Sequence, residues 1–243
     1  MSSAPRPTVL LLAGTLCDER LFSRQRQALR LRARVVVGDL HTLLEPSDWA
    51  ARLLDRLPPR FCVVGFSLGG LLALEMLRQA PGRIERLALV ASNARGGSAR
   101  GRRRSGQLWR HWRSGGPQKV LREVLPQYFP QRAKRMRHQA LVADMARCTP
   151  AHAAKAQFQW AANRPEGLTA LAAFDGPLCV VSGMRDALCP PAWQQEIMAA
   201  KPQAHWTALP RVGHFVPLEA PLSLNRALTK WLQSPLPSST RTD

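Results

Sequence analysis

Acidic residues are scarce in this chain. Sixteen Asp and Glu face 35 Lys and Arg, leaving a net charge of +19. Lysine is rare too, at positions 119, 134, 155, 201 and 230 only, so the excess is arginine. The five cysteines (Cys17, Cys62, Cys148, Cys179 and Cys189) are odd in number and show no CxxC spacing. That pattern excludes a disulfide framework and a cysteine zinc site, and it fits a reducing compartment. No apolar run approaches the roughly 18 residues of a membrane span. The short apolar stretch from Val9 to Ala13 lacks the small-x-small cleavage pattern of a signal peptide. A cytoplasmic protein is the expectation. A single tyrosine and the absence of a recognised binding motif weigh against nucleic acid as the partner, despite the charge.

What is present is a globular composition, 45% hydrophobic over 243 residues, enough to bury roughly 70–75% of the unfolded surface in one domain. The most informative stretch is Gly65-Phe66-Ser67-Leu68-Gly69. Arg60 to Val64 before it reads as a buried strand behind Pro58-Pro59. Gly70 to Arg78 after it is rich in helix formers and stops at Pro81-Gly82. A strand, a G-x-S-x-G turn and a helix make a nucleophile elbow, in which the serine hydroxyl projects from the sheet edge toward a positive helix N-terminus. The glycines two positions either side remove side chains that would clash across strand and helix.

Two further residues follow strands in the same manner. Pro177 to Gly183 is an apolar run ending in glycine and followed by Met184-Arg185-Asp186, which puts Asp186 on a strand-end loop. His214 sits in Gly213-His214-Phe215 after the strand candidate 204–209, with no metal-ligand spacing around it. His205 alternates within that strand, and His41, His111, His138 and His152 follow no strand-end pattern. Serine is a weak nucleophile until a base takes its proton, which is the role expected for His214, with Asp186 orienting the imidazole. An oxyanion needs two backbone donors. The N–H of Leu68 is one. The other belongs to the turn after the first strand, at Thr15, with Leu16 the alternative.

The signatures Leu-Leu-Leu-Ala-Gly-Thr (10–15), Gly-Phe-Ser-Leu-Gly-Gly (65–70), Gly-Met-Arg-Asp (183–186) and Gly-His-Phe-Val-Pro-Leu-Glu-Ala-Pro (213–221) occur in that order. With them the chain resembles the α/β-hydrolase superfamily from Thr8 to Trp231. It is most similar to small bacterial carboxylesterase-type members, among them esterases acting on pimeloyl-carrier-protein methyl ester. It departs from many of them in having Ala13-Gly14 for His-Gly. The resemblance implies a mainly parallel sheet with helices on both faces and a helical lid insertion, with the opening antiparallel hairpin missing.

The strand–helix alternation agrees, with strands expected at 8–13, 34–38, 61–65, 86–91, 177–183 and 204–209. Residues 1–94 and 171–233 form the core on this reading. Residues 95–170 are the lid, with helices at about 105–114, 117–126, 131–147 and 150–162. The Pro- and Ser-rich tail 234–243 has a disordered composition. Within the lid, Trp109, Trp112, Phe129, Met136, Met145, Phe158 and Trp160 are roof candidates. The substrate pocket is expected to draw on Leu16, Trp109, Trp112, Phe158, Trp160 and Phe215.

Thirteen Arg or Lys and one acid, Glu123, lie between Arg95 and Arg137, a net of +12. The run Arg100-Gly101-Arg102-Arg103-Arg104 is either an anion-recruiting surface or a solvated loop. The expected function is hydrolysis of a small-molecule carboxylic ester or thioester through an acyl-enzyme, without cofactor or metal. An anionic acyl group, or one on an acidic carrier protein, suits the charge. C–C bond hydrolysis or perhydrolysis on the same residues is the neighbouring alternative. From other classes come an anion- or nucleic-acid-binding protein using the Arg-rich segment, and a noncatalytic ligand receptor.

Overall fold

The computed structural model describes residues 6–237. Its sheet has six strands in the order β2-β1-β3-β4-β5-β6, every pair parallel. They are β1 (Thr8–Leu12), β2 (Arg34–Val37), β3 (Phe61–Phe66), β4 (Ile84–Val90), β5 (Leu178–Gly183) and β6 (His205–Leu209). β3 and β5 are continuous apolar or small-residue runs, buried at every position, because helices cover both faces of a central parallel strand. β2 and β6 are partly exposed, as edge strands must be. His205, on β6, is exposed. No antiparallel strand joins the sheet among the described residues.

Between the strands run α1 (Ser23–Leu29), α2 (Pro46–Arg56), α3 (Leu68–Gln79), α4 (Ala99–Tyr128), α5 (Arg132–Cys148), α6 (Ala151–Asn163), α7 (Leu168–Ala172), α8 (Pro191–Ala200), α9 (Val216–Glu219) and α10 (Pro221–Leu232). α2 packs on α3, which lies against β1, β3 and β4; α1 packs on α10, which lies against β4 and β5. The chain leaves β1 toward β2 and then returns to place β3 on the other side of β1. In open α/β sheets such a switch of direction opens a crevice at the carboxyl ends of the strands. The turn after β1 and the elbow after β3 both border that crevice.

Between β1 and β2 the helical stretch comes in two pieces, because Asp18 caps a short 3₁₀ turn (Glu19–Phe22) before α1. The arginine run 100–104 is helical and no loop: the Ser98 hydroxyl accepts the Gly101 N–H at 3.0 Å, starting α4 ahead of strong helix formers. The break expected between 114 and 117 is present: Gly115 and Gly116 are non-helical and divide α4 into two arms, with Gly116 at φ +61°, where a side chain would be strained. The two arms of α4 lie side by side, and the lone acid Glu123 on the second receives Arg104 at 2.8 Å and stands 2.9 Å from His111 on the first. Of the expected tail, Ser234 to Pro237 are placed, and Arg86 donates to the Ser234 carbonyl at 2.8 Å. Residues 238–243 lie outside the described residues.

Candidate active site

Ser67 links β3 to α3 at φ +52° and ψ −115°. A non-glycine residue there costs of order 1–3 kcal/mol, so its surroundings must impose the geometry. They do so by close packing. A Cβ on Gly65 would meet the backbone of Gly69 and Gly70 at 2.5 Å, and one on Gly69 would run into the carbonyls of Leu12 and Ala13. From β4's end, Val90 accepts the Ser67 N–H at 2.9 Å, and the Ser92 hydroxyl donates to the Ser67 carbonyl at 2.8 Å.

Three of the residues singled out in the sequence meet here. Asp186 Oδ2 lies 2.8 Å from His214 Nδ1, and His214 Nε2 lies 2.9 Å from Ser67 Oγ. An ionised carboxylate only accepts hydrogen bonds. Nδ1 therefore donates to Asp186, and Nε2 is left to accept from the serine hydroxyl. Asp186 and His214 are buried, 3% and 2% exposed, so this chain of bonds runs where water screens little. Burial by itself raises the Asp186 carboxyl. The His214 charge and hydrogen bond, with the Leu188 and Cys189 N–H groups at 2.8 and 3.0 Å, outweigh it and hold the carboxyl below its ordinary value.

The loops carrying Asp186 and His214 are tied to each other. Met184 and Arg185 donate to the carbonyls of Leu209 and Val212. Gly213 donates to both oxygens of Glu219 at 3.1 Å, and Lys134 of α5 stands 3.2 Å from the same carboxylate, whose side chain is fully buried. Phe215, named with the pocket, is buried beside the histidine and packs on Phe66, Tyr128 and Phe129 at centroid distances of 5.3, 5.0 and 4.9 Å.

Of the two candidates for the second backbone donor, Leu16 is already engaged: its N–H donates to the Gln157 side chain at 2.8 Å. Thr15 N–H has no acceptor among the described residues. Leu68, first residue of α3, has no helical acceptor for its N–H.

Other pocket expectations fare unevenly. Leu16 and Phe158 are buried, and Phe158 meets Trp112 edge-on at 6.4 Å. Trp109 is partly buried, with Lys155 over its ring. Trp160 lines a small cleft with Leu71, Leu74, Arg95 and Arg164, beside α3. Met136, a roof candidate, is 59% exposed on the outer face of α5. Phe129 and Met145 are fully buried core.

Asp186, Cys189 and His214 offer donor atoms within 4.8 Å of one another. Their chemistry does not suit a metal: Asp186 and His214 bond each other, and burial with the Asp186 charge drives the Cys189 thiol far above its usual range. A protonated thiol is a poor ligand. Residues the sequence did not single out also matter. Tyr128, at the end of α4, stacks on His214. Gln157 was detectable as the one polar side chain on the buried face of α6, among Ala153, Ala154, Ala156 and Phe158. Glu219 and Lys134 carried no comparable signal.

The pattern that defines the alpha/beta hydrolase family matches residues 7–227. A segment of 94 residues is 52% identical to pimeloyl-[acyl-carrier protein] methyl ester esterase from Nitrosomonas europaea, covering 35% of this chain and 37% of that protein. Among solved structures, a thermophilic esterase from Thermogutta terrifontis superposes with a TM-score of 0.83 at 24% identity, over 94% of this chain and 90% of that one. The enol-lactonase of Burkholderia xenovorans gives 0.83 at 21%, over 96% and 94%. A bromoperoxidase from Bacillus anthracis gives 0.80 at 16%, over 94% and 92%. At these identities the superpositions speak for the fold.

Proposed function

The chain belongs to the alpha/beta hydrolase family, and from that premise we propose that it is a serine hydrolase acting on a carboxylic ester or thioester through an acyl-enzyme. The hydrogen-bonded line from Asp186 through His214 to Ser67 carries this reading. Ser67 Oγ attacks the acyl carbonyl while His214 Nε2 takes its proton. Asp186 holds the imidazole in the tautomer that leaves Nε2 unprotonated and stabilises the imidazolium once formed. The N–H groups of Thr15 and Leu68 receive the oxyanion. His214 then protonates the departing alcohol or thiol, and water resolves the acyl-enzyme by the same steps in reverse.

Residues 95–170, between β4 and β5, act as a lid on this reading, and 1–94 with 171–233 as the hydrolase core. The basic first arm of α4 suits an anionic acyl group or one delivered on an acidic carrier, since like charges beside an entrance raise the local concentration of anions. The carrier in the name of the Nitrosomonas relative agrees with that charge. A cytoplasmic setting goes with such a substrate; no helix among the described residues is long and apolar enough to cross a membrane. Other reactions of the same residues, C–C hydrolysis and perhydrolysis, have no feature of this site favouring them.

The test is hydrolysis of an ester series and a thioester series by wild type and Ser67→Ala. The wild type is expected to turn over esters or thioesters. The folded variant is expected to lose roughly a million-fold in kcat. Comparable turnover by both would overturn the proposal.

A further inference from the structure

Gln157 is fully buried on α6, a helix of the inserted segment, yet it is a polar side chain with both donor and acceptor atoms. Burying an amide without partners costs of order 1–3 kcal/mol, so its bonds decide why it is tolerated there. Both ends are satisfied by backbone far away in sequence. Oε1 accepts the Leu16 N–H at 2.8 Å, and Nε2 donates to the Leu40 carbonyl at 3.2 Å. The amide thus bridges the turn after β1 and the turn after β2 (Leu40–Thr42) from the inserted helix.

Leu16 is where such a bridge has consequences. The Cys17 N–H donates to the Gly14 carbonyl at 3.1 Å, closing a four-residue turn with Thr15 and Leu16 at its centre. Leu16 has φ +58°, whereas Thr15 is not among the residues of positive φ. A positive φ at the third turn position alone defines the type II form, which glycine ordinarily occupies. Leucine there carries a steric penalty of about 1–2 kcal/mol. The type I turn, which leucine tolerates, differs by a flip of the central peptide plane, the plane that contains the Leu16 N–H. Gln157 holds that N–H.

The geometry points to Gln157 as a positioning residue for the oxyanion turn: its amide selects the strained orientation of the Thr15–Leu16 peptide, and so fixes which way that peptide's dipole points beside the Thr15 N–H. This inference rests on the acyl-transfer reading above. It makes α6 a structural part of the catalytic pocket, since the turn's conformation depends on that helix being docked. The effect belongs to the transition state, where charge develops on the oxygen, and to kcat rather than to substrate binding.

A double-mutant cycle with Gln157→Leu and Leu16→Gly tests it. Glycine adopts the positive φ without penalty, so the turn should keep its form in the absence of the amide. The measurements are kcat, KM and the affinity for a trifluoromethyl ketone, which adds to the serine and places an oxyanion in the hole. In the native background, Gln157→Leu is expected to lower kcat about 10- to 100-fold with KM changed less than about three-fold, and to weaken the ketone by the same factor as kcat. In the Leu16→Gly background, the same replacement is expected to cost less than about three-fold, because the turn no longer needs the amide. An equal loss in both backgrounds would overturn the assignment, as would a loss confined to KM with ketone affinity unchanged. If Gln157→Leu does not fold, as judged by circular dichroism, Gln157→Met takes its place, being of similar length and lacking the amide. Ser67→Ala is assayed alongside: activity in that variant condemns the acyl-transfer reading. Its inactivity with no effect at Gln157 condemns only the present inference.

Discussion

Tyr128 lies face to face with His214, ring centroids 5.5 Å apart at an interplanar angle of 24°, and its carbonyl accepts the His214 N–H at 3.0 Å. The last residue of α4, in the inserted segment, therefore holds the histidine of the core by both ring and backbone. Replacing Tyr128 by Leu leaves the backbone bond and removes the stacked ring. We expect kcat to fall about ten-fold, with a stability loss on the order of 1–3 kcal/mol from the lost aromatic packing. Steady-state kinetics and urea denaturation measure the two effects; unchanged kcat would show that the ring does not hold the imidazole.

Gly69 tests how the elbow is built. Its Cβ position is occupied by the carbonyls of Leu12 and Ala13, both backbone and unable to yield like a flexible side chain. Gly69→Ala is expected to destabilise the protein by about 1–3 kcal/mol or more and to displace β1 from the elbow. Gly82, with nothing within 4 Å of its Cβ position, is the control, and Gly82→Ala should change stability little. Equal denaturation midpoints for the two variants would contradict the packing argument.

The lowered Asp186 carboxyl gives a pH signature. A folded value below the unfolded one means that the stabilisation is fully present above the ordinary range near pH 4 and is lost as pH falls through the folded value. Tm measured from about pH 7 down to about pH 2 should therefore fall on the acid side in the wild type. Asp186→Asn should be less stable at neutral pH and fall less steeply below about pH 4. Its kcat should drop by about 10⁴-fold, because asparagine can favour the wrong imidazole tautomer. A parallel fall of both Tm curves would place the acid sensitivity elsewhere, with Glu75 or Asp18, whose carboxyls are also lowered.

The arginines of α4 divide in two. Arg102 and Arg103 are exposed, whereas Arg104 is bound to Glu123 and Gln127. Replacing Arg102 and Arg103 by Ser should lower kcat/KM several-fold for an acyl group on coenzyme A or an acidic carrier, less so at high salt, where screening shortens to about 3 Å at 1 M. A small neutral ester should be unaffected. Arg104→Ser should instead loosen the paired arms of α4 and lower stability. Equal responses of charged and neutral substrates would remove any steering role.

The fold was legible because parallel strands buried on both faces read as short apolar runs, and each of these strands ends within a residue of its expected position. Ser67 and Asp186 were legible because each follows such a run, and His214 because it follows the edge strand β6 in a glycine turn; strand ends converge on one edge. Which of Thr15 and Leu16 keeps its N–H free was not, since Leu16 donates to the side chain of Gln157, 141 residues away. The aromatic cluster around Phe215 was not legible either: adjacency to His214 in sequence does not say that Phe66, Tyr128 and Phe129 surround it. The arginine run was open between loop and binding surface because charge dominates composition there, while a single cap, Ser98, decides the helix.

Rapid-quench mass spectrometry of the wild type with an activated ester identifies the nucleophile itself. An acyl group is expected on the peptide containing Ser67, formed in a burst before steady turnover, and missing in Ser67→Ala. Steady hydrolysis by folded protein with the acyl group on another residue, or continuing undiminished in Ser67→Ala, would contradict this expectation.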